Sequence, residues 1–237
     1  VAFCMGRAGL SANDGPTHHG LFDIAYLNCV PGIIAMAPGN EDELADMMFT
    51  ATHQNQPAFI RYPRGSAEGV AVKKQPALIE IGKAEVQQNF SNSGKPKVAF
   101  FALGPMRGIA DKAIEELGAE NIDAAIINPR FTKPIDGGTT EFFAQAADVI
   151  VTIEDHVIKG GYGSIVRDHL GDCGITTPVV RIGWPDQFIE HASSVGYLRE
   201  KHGLTGANTA EQIRQALGQA SEASARPNPA LGQAVGG

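Results

Sequence analysis

Residues 97–128 read KVAFFALGPMRGIADKAIEELGAENIDAAIIN, and this stretch decides the fold class. Residues 97–103 form an apolar run of strand length, broken by Gly104 and Pro105. Across 106–117, Ile109, Ala113, Ile114 and Leu117 recur at helical spacing and mark one apolar face. Residues 122–128 are again an apolar run. Strand, helix and strand in about thirty residues predict two parallel strands joined by a crossover helix.

The rhythm continues downstream, with a helix at 139–147, a strand at 148–153, a helix at 163–170, a strand at 178–182 and closing helices at 190–202 and 209–217. Alternation of this kind implies a mostly parallel sheet covered by helices on both faces. Upstream, 1–5, 32–36 and 58–62 read as strands and 21–29 as a short helix or turn. Residues 40–52 read as a helix. Asn40 is its cap, Glu43 stands three residues on, and Glu41 and Asp42 add negative charge to the first turn, where the helix dipole favours it. Leu44, Met47 and Met48 are expected in the core.

Periodicity weakens over 66–96, and the polar run 87–97 reads as a linker with a hairpin-like excursion. From residue 218 the chain is mostly Ala, Ser, Gly and Pro, a composition expected to be disordered. The expected class is therefore α/β: a unit over 1–81, a second with a mostly parallel sheet over 82–217, and a tail over 218–237.

The 237 residues are 43% hydrophobic, enough for a buried core, and carry a formal net charge of −7. That balance argues against a nucleic-acid partner, which needs a basic face. No apolar run is long enough to span a bilayer, so no membrane partner is expected. Cys4, Cys29 and Cys173 are scattered and form no CxxC pair, which argues against a disulfide framework or a zinc site. Buried, reduced thiols and a cytoplasmic location are the expectation. The chain opens on VAFCM, which has no signal-peptide character and reads as the middle of a buried strand, so sequence upstream of Val1 is expected.

Three segments could carry chemistry. The loop 7–20, RAGLSANDGPTHHG, follows a strand and gathers Arg7, Asp14, His18 and His19. Parallel-sheet proteins bind ligands beyond the carboxyl ends of strands. A guanidinium forks onto a carboxylate or phosphate, and an imidazole shuttles protons near neutral pH. An ordinary surface loop with a turn at Asn13-Asp14-Gly15 accounts for the composition equally well. A metal held by Asp14, His18 and His19 is disfavoured, because adjacent histidines rarely converge on one ion.

The second segment is Arg61-Tyr62-Pro63-Arg64-Gly65. In an extended chain, positions three apart face opposite ways, so at most one of these arginines faces a cleft unless Pro63 bends the chain. The third is Glu154-Asp155-His156, read as lying just after a strand, with Gly160-Gly161-Tyr162-Gly163-Ser164 ahead of a helix. Such a turn either holds an anion at the helix N-terminus or lets two elements pack closely. It fits neither a dinucleotide-binding nor a P-loop fingerprint.

In order and spacing, RAGLSANDGPTHHGLFDIAYL, MAPGNEDEL, IRYPRG, PRFTKPID, VTIEDHVIKGGYGS and RIGWPDQFIEH resemble the 1-deoxy-D-xylulose 5-phosphate synthase family over roughly residues 1–217. The resemblance implies the later part of a pyrimidine-binding transketolase-like domain followed by a transketolase C-terminal domain. It implies decarboxylative condensation of pyruvate with glyceraldehyde 3-phosphate for isoprenoid, thiamine and pyridoxal precursors. Thiamine diphosphate and Mg²⁺ would be the cofactors of the complete enzyme, with their main ligands and the activating glutamate ahead of Val1. A homodimer is implied as well.

Arg7, Asp14, His18 and Arg64 match the family's substrate-side residues. The two arginines would grip the acceptor phosphate, Asp14 and His18 would contact donor or intermediate, His18 would be catalytic, and Arg61 would be structural. The family usually places Asp where Gly6 stands, and often Gln where His19 stands. On this reading the chain alone is inactive. The alternatives are a separate C-terminal subunit of a split transketolase-like enzyme and a non-catalytic dimerisation module.

Overall fold

The computed structural model describes residues 1–11, 14–118, 121–191 and 194–225, with side chains described to residue 219. Its elements run β1 (Ala2–Gly6), α1 (Asp23–Asn28), β2 (Ile34–Met36), α2 (Glu41–Thr52), β3 (Ala58–Tyr62), β4 (Glu85–Gln88), β5 (Lys97–Ala102), α3 (Arg107–Leu117), β6 (Asp123–Asn128), β7 (Phe131–Lys133), α4 (Gly137–Ala146), β8 (Val149–Val157), α5 (Tyr162–Asp172), β9 (Val179–Trp184), α6 (Val195–His202) and α7 (Gly206–Ala225). Among these residues no helix is long and apolar enough to cross a membrane.

The strands form two mostly parallel sheets, as the alternation implies. The larger has the order β4-β6-β5-β8-β9, parallel except where β4 pairs antiparallel with β6. Its central strands are apolar throughout because both faces are covered. Val98, Phe100 and Ala102 point into one cluster with Ile109, Ala113, Leu198 and Ile213. Ala99, Phe101 and Leu103 point into the other with Phe143, Tyr162 and Val166. The period of two in β5 thus divides a continuous apolar run between two helix layers.

The smaller sheet has the order β1-β3-β2-β7, with β1 and β2 parallel to β3 and β7 antiparallel to β2. Two expectations change here. β1 is an edge strand and mostly exposed, with Phe3 stacked on Phe59 at 4.5 Å between ring centroids; it is not a buried strand. β7, unmarked by any periodic signal in its three residues, crosses from the later half of the chain to complete the earlier sheet.

Asn40 caps α2 as expected, accepting from the Glu43 backbone N–H at 2.9 Å. Glu43 does not return the bond to Asn40. Its carboxylate accepts from Gly39 N–H at 2.6 Å, from Asn128 and from Arg130 Nε at 2.6 Å, which ties α2 to the corner between β6 and β7. Met47 is buried, whereas Met48 is exposed, because the helix turns its face away from the core between them.

The acidic first turn does more than complement the dipole. Glu41 accepts from Gly69 N–H, Asp42 from Lys73 N–H and Asp46 from Ala77 N–H, and Lys73 Nζ pairs with Asp42 and Asp46. The segment after β3 is therefore a strap held along α2, and it leads into β4.

Further differences concern extent. α6 begins at Val195, and the stretch from Glu190 to it is not helical in its described residues. α7 continues through Ala225, into the stretch expected to be disordered; 226–237 lie outside the described residues. The three cysteines are exposed, not buried. β8 runs through Glu154, Asp155 and His156, so these side chains belong to a buried strand rather than the loop after it.

Glu154 explains the glycine-rich turn. Its carboxyl group accepts from Tyr162 and Gly163 N–H at 2.6 and 2.9 Å, so the acceptor at this helix N-terminus belongs to the protein itself. A Cβ at Gly161 would lie 2.3 Å from Glu154 Oε2, so only glycine permits the approach. Burial pushes the Glu154 pKa up to about 7 against the opposing pull of those two N–H groups. His156 beside it donates from Nδ1 to the Val157 carbonyl at 2.7 Å, and burial pushes its pKa down, which favours the neutral ring.

Because the folded-state value of Glu154 lies above its ordinary 4.5, the folded protein keeps a proton that the unfolded chain has lost. Its contribution is greatest below 4.5 and declines as pH rises towards about 7. Measured by urea unfolding, wild-type stability relative to Glu154→Gln is expected to fall across this window by about 3 kcal/mol. Parallel pH profiles for the two proteins would refute the assignment.

Candidate functional site

β1 and β3 are adjacent and parallel, and they end in register, with Gly6 opposite Tyr62. Whatever follows each strand must therefore emerge at the same edge. Arg7 follows β1 and Arg64 lies two residues beyond β3, and both guanidiniums reach the carboxylate of Asp14. Arg7 Nε is 3.3 Å from Asp14 Oδ2, and Arg64 Nη1 pairs with the same oxygen. The Arg64 hydrogen bond, joined by the charges of Arg64, Arg7 and His18, holds the Asp14 carboxyl below its usual pKa despite opposing desolvation.

Two cations on one anion leave a net positive centre. The arginine side chains remain 47% and 51% exposed. Ion pairs this exposed contribute little to stability, so holding the fold does not account for them. Arg7 also sits at φ 70°, a left-handed conformation that costs a non-glycine residue about 1–3 kcal/mol.

His18 ends a short 3-10 turn over Pro16–His18 and is exposed. His19 points the other way. Its Nδ1 accepts from Ser11 N–H at 3.1 Å, which leaves Nε2 to donate to the Glu190 carbonyl at 3.3 Å. The two histidines do not converge, and His19 fastens the loop.

The loop rests on Arg61, expected to be structural, and on Asp155, whose partners the sequence reading did not foresee. Arg61 is buried and forks onto Asp23, at 2.7 and 3.2 Å, and its Nη2 also donates to the Asp155 carbonyl at 3.1 Å. The Asp155 carboxylate accepts from Leu10 N–H at 3.2 Å, Trp184 Nε1 at 2.6 Å and Arg199 Nη2 at 3.1 Å. Gly9, at φ 78°, packs so closely that a Cβ there would lie 2.4 Å from Asp155 Cγ. Leu10 and Asp155 are 145 residues apart, so spacing carried no sign of their pairing. At Gly6 a Cβ would meet Tyr62 at no less than 3.6 Å, an ordinary contact, so the backbone there leaves room for a side chain.

A cleft of about 150 Å³ opens beside Arg64, lined by Pro38, Tyr62, Pro63 and Pro105 together with the acidic Glu41 and Glu68. A larger cleft of about 390 Å³ between α3 and α6–α7 sets Lys112 and Arg199 against Glu116 and Glu200, so its charges nearly cancel. At Arg7 and Arg64, by contrast, two cations share one carboxylate.

Residues 82–208 match the family model of the transketolase C-terminal domain, and residues 1–69 match that of the transketolase pyrimidine binding domain. The chain belongs to the transketolase family. Among curated relatives it is 54% identical over 217 residues to the 1-deoxy-D-xylulose-5-phosphate synthase of Methylacidiphilum infernorum, a match covering 92% of this chain and 34% of the relative. It is 46% identical to the synthase of the same name from Acidobacterium capsulatum, over 95% of this chain and 35% of that one. The chain thus spans about a third of the length of the curated relatives it matches.

Among solved structures, a split gene transketolase described as an inactive beta4 tetramer aligns with TM-score 0.75 and 28% identity, over 92% of this chain and 66% of that one. A transketolase from Pichia stipitis aligns with TM-score 0.67 at 13% identity, over 93% of this chain and 30% of that one, and shows the fold alone.

The two arginines of the RYPRG segment should separate cleanly in urea unfolding. Arg61→Ala leaves Asp23 buried without its partner and is expected to cost about 3–5 kcal/mol. Arg64→Ala is expected to stay within about 0.5 kcal/mol of wild type. Equal losses would contradict the division into a structural and an available arginine.

Proposed function

We propose that this chain is the substrate-side part of a thiamine-diphosphate-dependent 1-deoxy-D-xylulose 5-phosphate synthase, which joins pyruvate to glyceraldehyde 3-phosphate with loss of CO₂. The observation that carries the reading is the convergence of Arg7 and Arg64 on Asp14 with both guanidiniums still open to solvent. In this reading the arginines grip the acceptor phosphate and Asp14 holds them at a fixed separation. His18, exposed beside them, is the catalytic imidazole that exchanges a proton with a substrate oxygen.

Among the described residues the three-membered group of His, Cys, Asp and Glu with ligand spacing is Glu141, His169 and Cys173, which is not the all-oxygen set that Mg²⁺ takes. As the family likeness implies, the diphosphate and its metal would be held mainly by polypeptide other than this chain. Thiamine diphosphate supplies the carbanion chemistry there. The working enzyme is proposed as a cytoplasmic homodimer serving isoprenoid, thiamine and pyridoxal precursor synthesis. The units over 1–81 and 82–217 would correspond to the pyrimidine-binding and C-terminal domains.

The test is a chimaera in which this chain replaces the matching last third of the Methylacidiphilum infernorum relative. It is expected to form deoxyxylulose phosphate from both substrates, whereas the isolated chain supplied with cofactors is expected to form none. Arg64→Ala in the chimaera should raise KM for glyceraldehyde 3-phosphate by about ten- to a hundredfold, with a smaller effect on kcat. An inactive but folded chimaera, or activity in the isolated chain, would sink the reading. The likeness to a split gene transketolase supports a second reading, a separate subunit. Activity on mixing this chain with the relative's first two thirds, as separate polypeptides, would favour it.

A further inference from the structure

Away from the arginine-bearing loop, α4 and α5 lie side by side and bring together a carboxylate, an imidazole and a thiol. His169 and Cys173 are four residues apart at the end of α5, so the helical repeat sets them one above the other on the same face. Glu141 reaches across from α4, with Oε1 3.0 Å from His169 Nε2. Cys173 Sγ lies 4.0 Å from that same nitrogen. The three atoms all fall within 4.8 Å of one another.

We infer that Glu141, His169 and Cys173 form a binding site for a borderline-soft divalent cation, Zn²⁺ foremost. Without a metal the three groups form a hydrogen-bonded surface cluster, the thiol meeting both His169 and Glu141, and such a cluster contributes little to stability by itself. One cation accounts for all three. The donor set of sulfur, nitrogen and oxygen is one that Zn²⁺ takes and that Mg²⁺ and Ca²⁺ do not. Only small side-chain movements are needed to bring the atoms to about 2.0–2.3 Å from a common centre.

Three protein ligands leave a fourth tetrahedral position, which the exposure of Cys173 opens to a water molecule. On binding, the thiol gives its proton to solvent and the thiolate takes the metal, while neutral His169 offers the Nε2 lone pair. The site joins the last turn of α5 to the middle of α4 without touching the Arg7–Asp14–Arg64 centre. No sequence spacing advertises it, because Glu141 and His169 are 28 residues apart.

Co²⁺ is the probe, since a cobalt–thiolate bond absorbs in the near ultraviolet. Titration of the reduced 237-residue chain is expected to give this band, saturating at one equivalent and bleached by Zn²⁺. Cys173→Ser should abolish the band, and His169→Ala should weaken Co²⁺ binding by roughly 100-fold or more, beyond what the loss of a mere supporting partner costs. Cys4→Ser and Cys29→Ser, which alter the other two exposed thiols, should leave it unchanged. Circular dichroism checks that each variant folds. Absence of the band from the folded wild-type chain, or its persistence in Cys173→Ser, would overturn the assignment.

Discussion

The carboxylate of Asp155 is the constraint on which the rest of the site depends. It sits inside β8, in the middle of the larger sheet's parallel strands, and accepts hydrogen bonds from a loop amide, an indole and a guanidinium. Its own backbone carbonyl takes the buried Arg61, which in turn holds Asp23 at the start of α1. One residue therefore links the end of β3, the loop after β1, the end of β9 and α6. Buried charges persist only when nearly every polar atom is answered, and here each partner comes from a different element. The loop that carries Arg7, Asp14 and His18 is positioned from beneath by the later half of the chain.

That arrangement sorts the charges by burial. Asp23, Arg61, Glu154 and Asp155 are buried and satisfied by protein groups, so little of their field reaches a ligand. Arg7 and Arg64 share a single carboxylate and remain half in solvent. A phosphate arriving there would meet donors already turned towards one another, which lowers the ordering cost of binding. The strained backbone at Arg7 fits the same logic. A conformation that weakens the fold slightly is kept where it aims a guanidinium.

Much of this was legible in the chain, for reasons that can be named. The strands around 97–128 announced themselves because they are buried on both faces and so carry unbroken apolar runs. Asn40 announced α2 because a cap is a local interaction between near neighbours. That Arg7 and Arg64 belong to one site was implied by the family resemblance and not by the pattern of residues, and the in-register ends of β1 and β3 bring both to Asp14. Legibility failed where the cause was distant. β8 was expected to end four residues early, at Ile153, because charged Glu154 and Asp155 end a pattern that helix termini and Arg199 rescue only in three dimensions. β7 is too short to have a period. The cysteines were misjudged because burial preference describes a residue type, whereas Cys29 and Cys173 follow helix ends and Cys4 lies on an edge strand. Asp155 stood in a segment marked as a candidate, but its partners at Leu10, Trp184 and Arg199 are distant in the chain and left no local sign.

The crossing of β7 into the earlier sheet also governs the order in which the molecule can be made. β2 pairs with Phe131–Lys133, so one flank of that sheet stays open until the ribosome has delivered the strand, helix and strand of the next unit. At about 5–20 residues per second, that is several seconds during which the nascent chain presents unpaired backbone. The first sheet is begun first and finished late. A break in the gene placed at the strap between the units would divide a sheet rather than two independent parts.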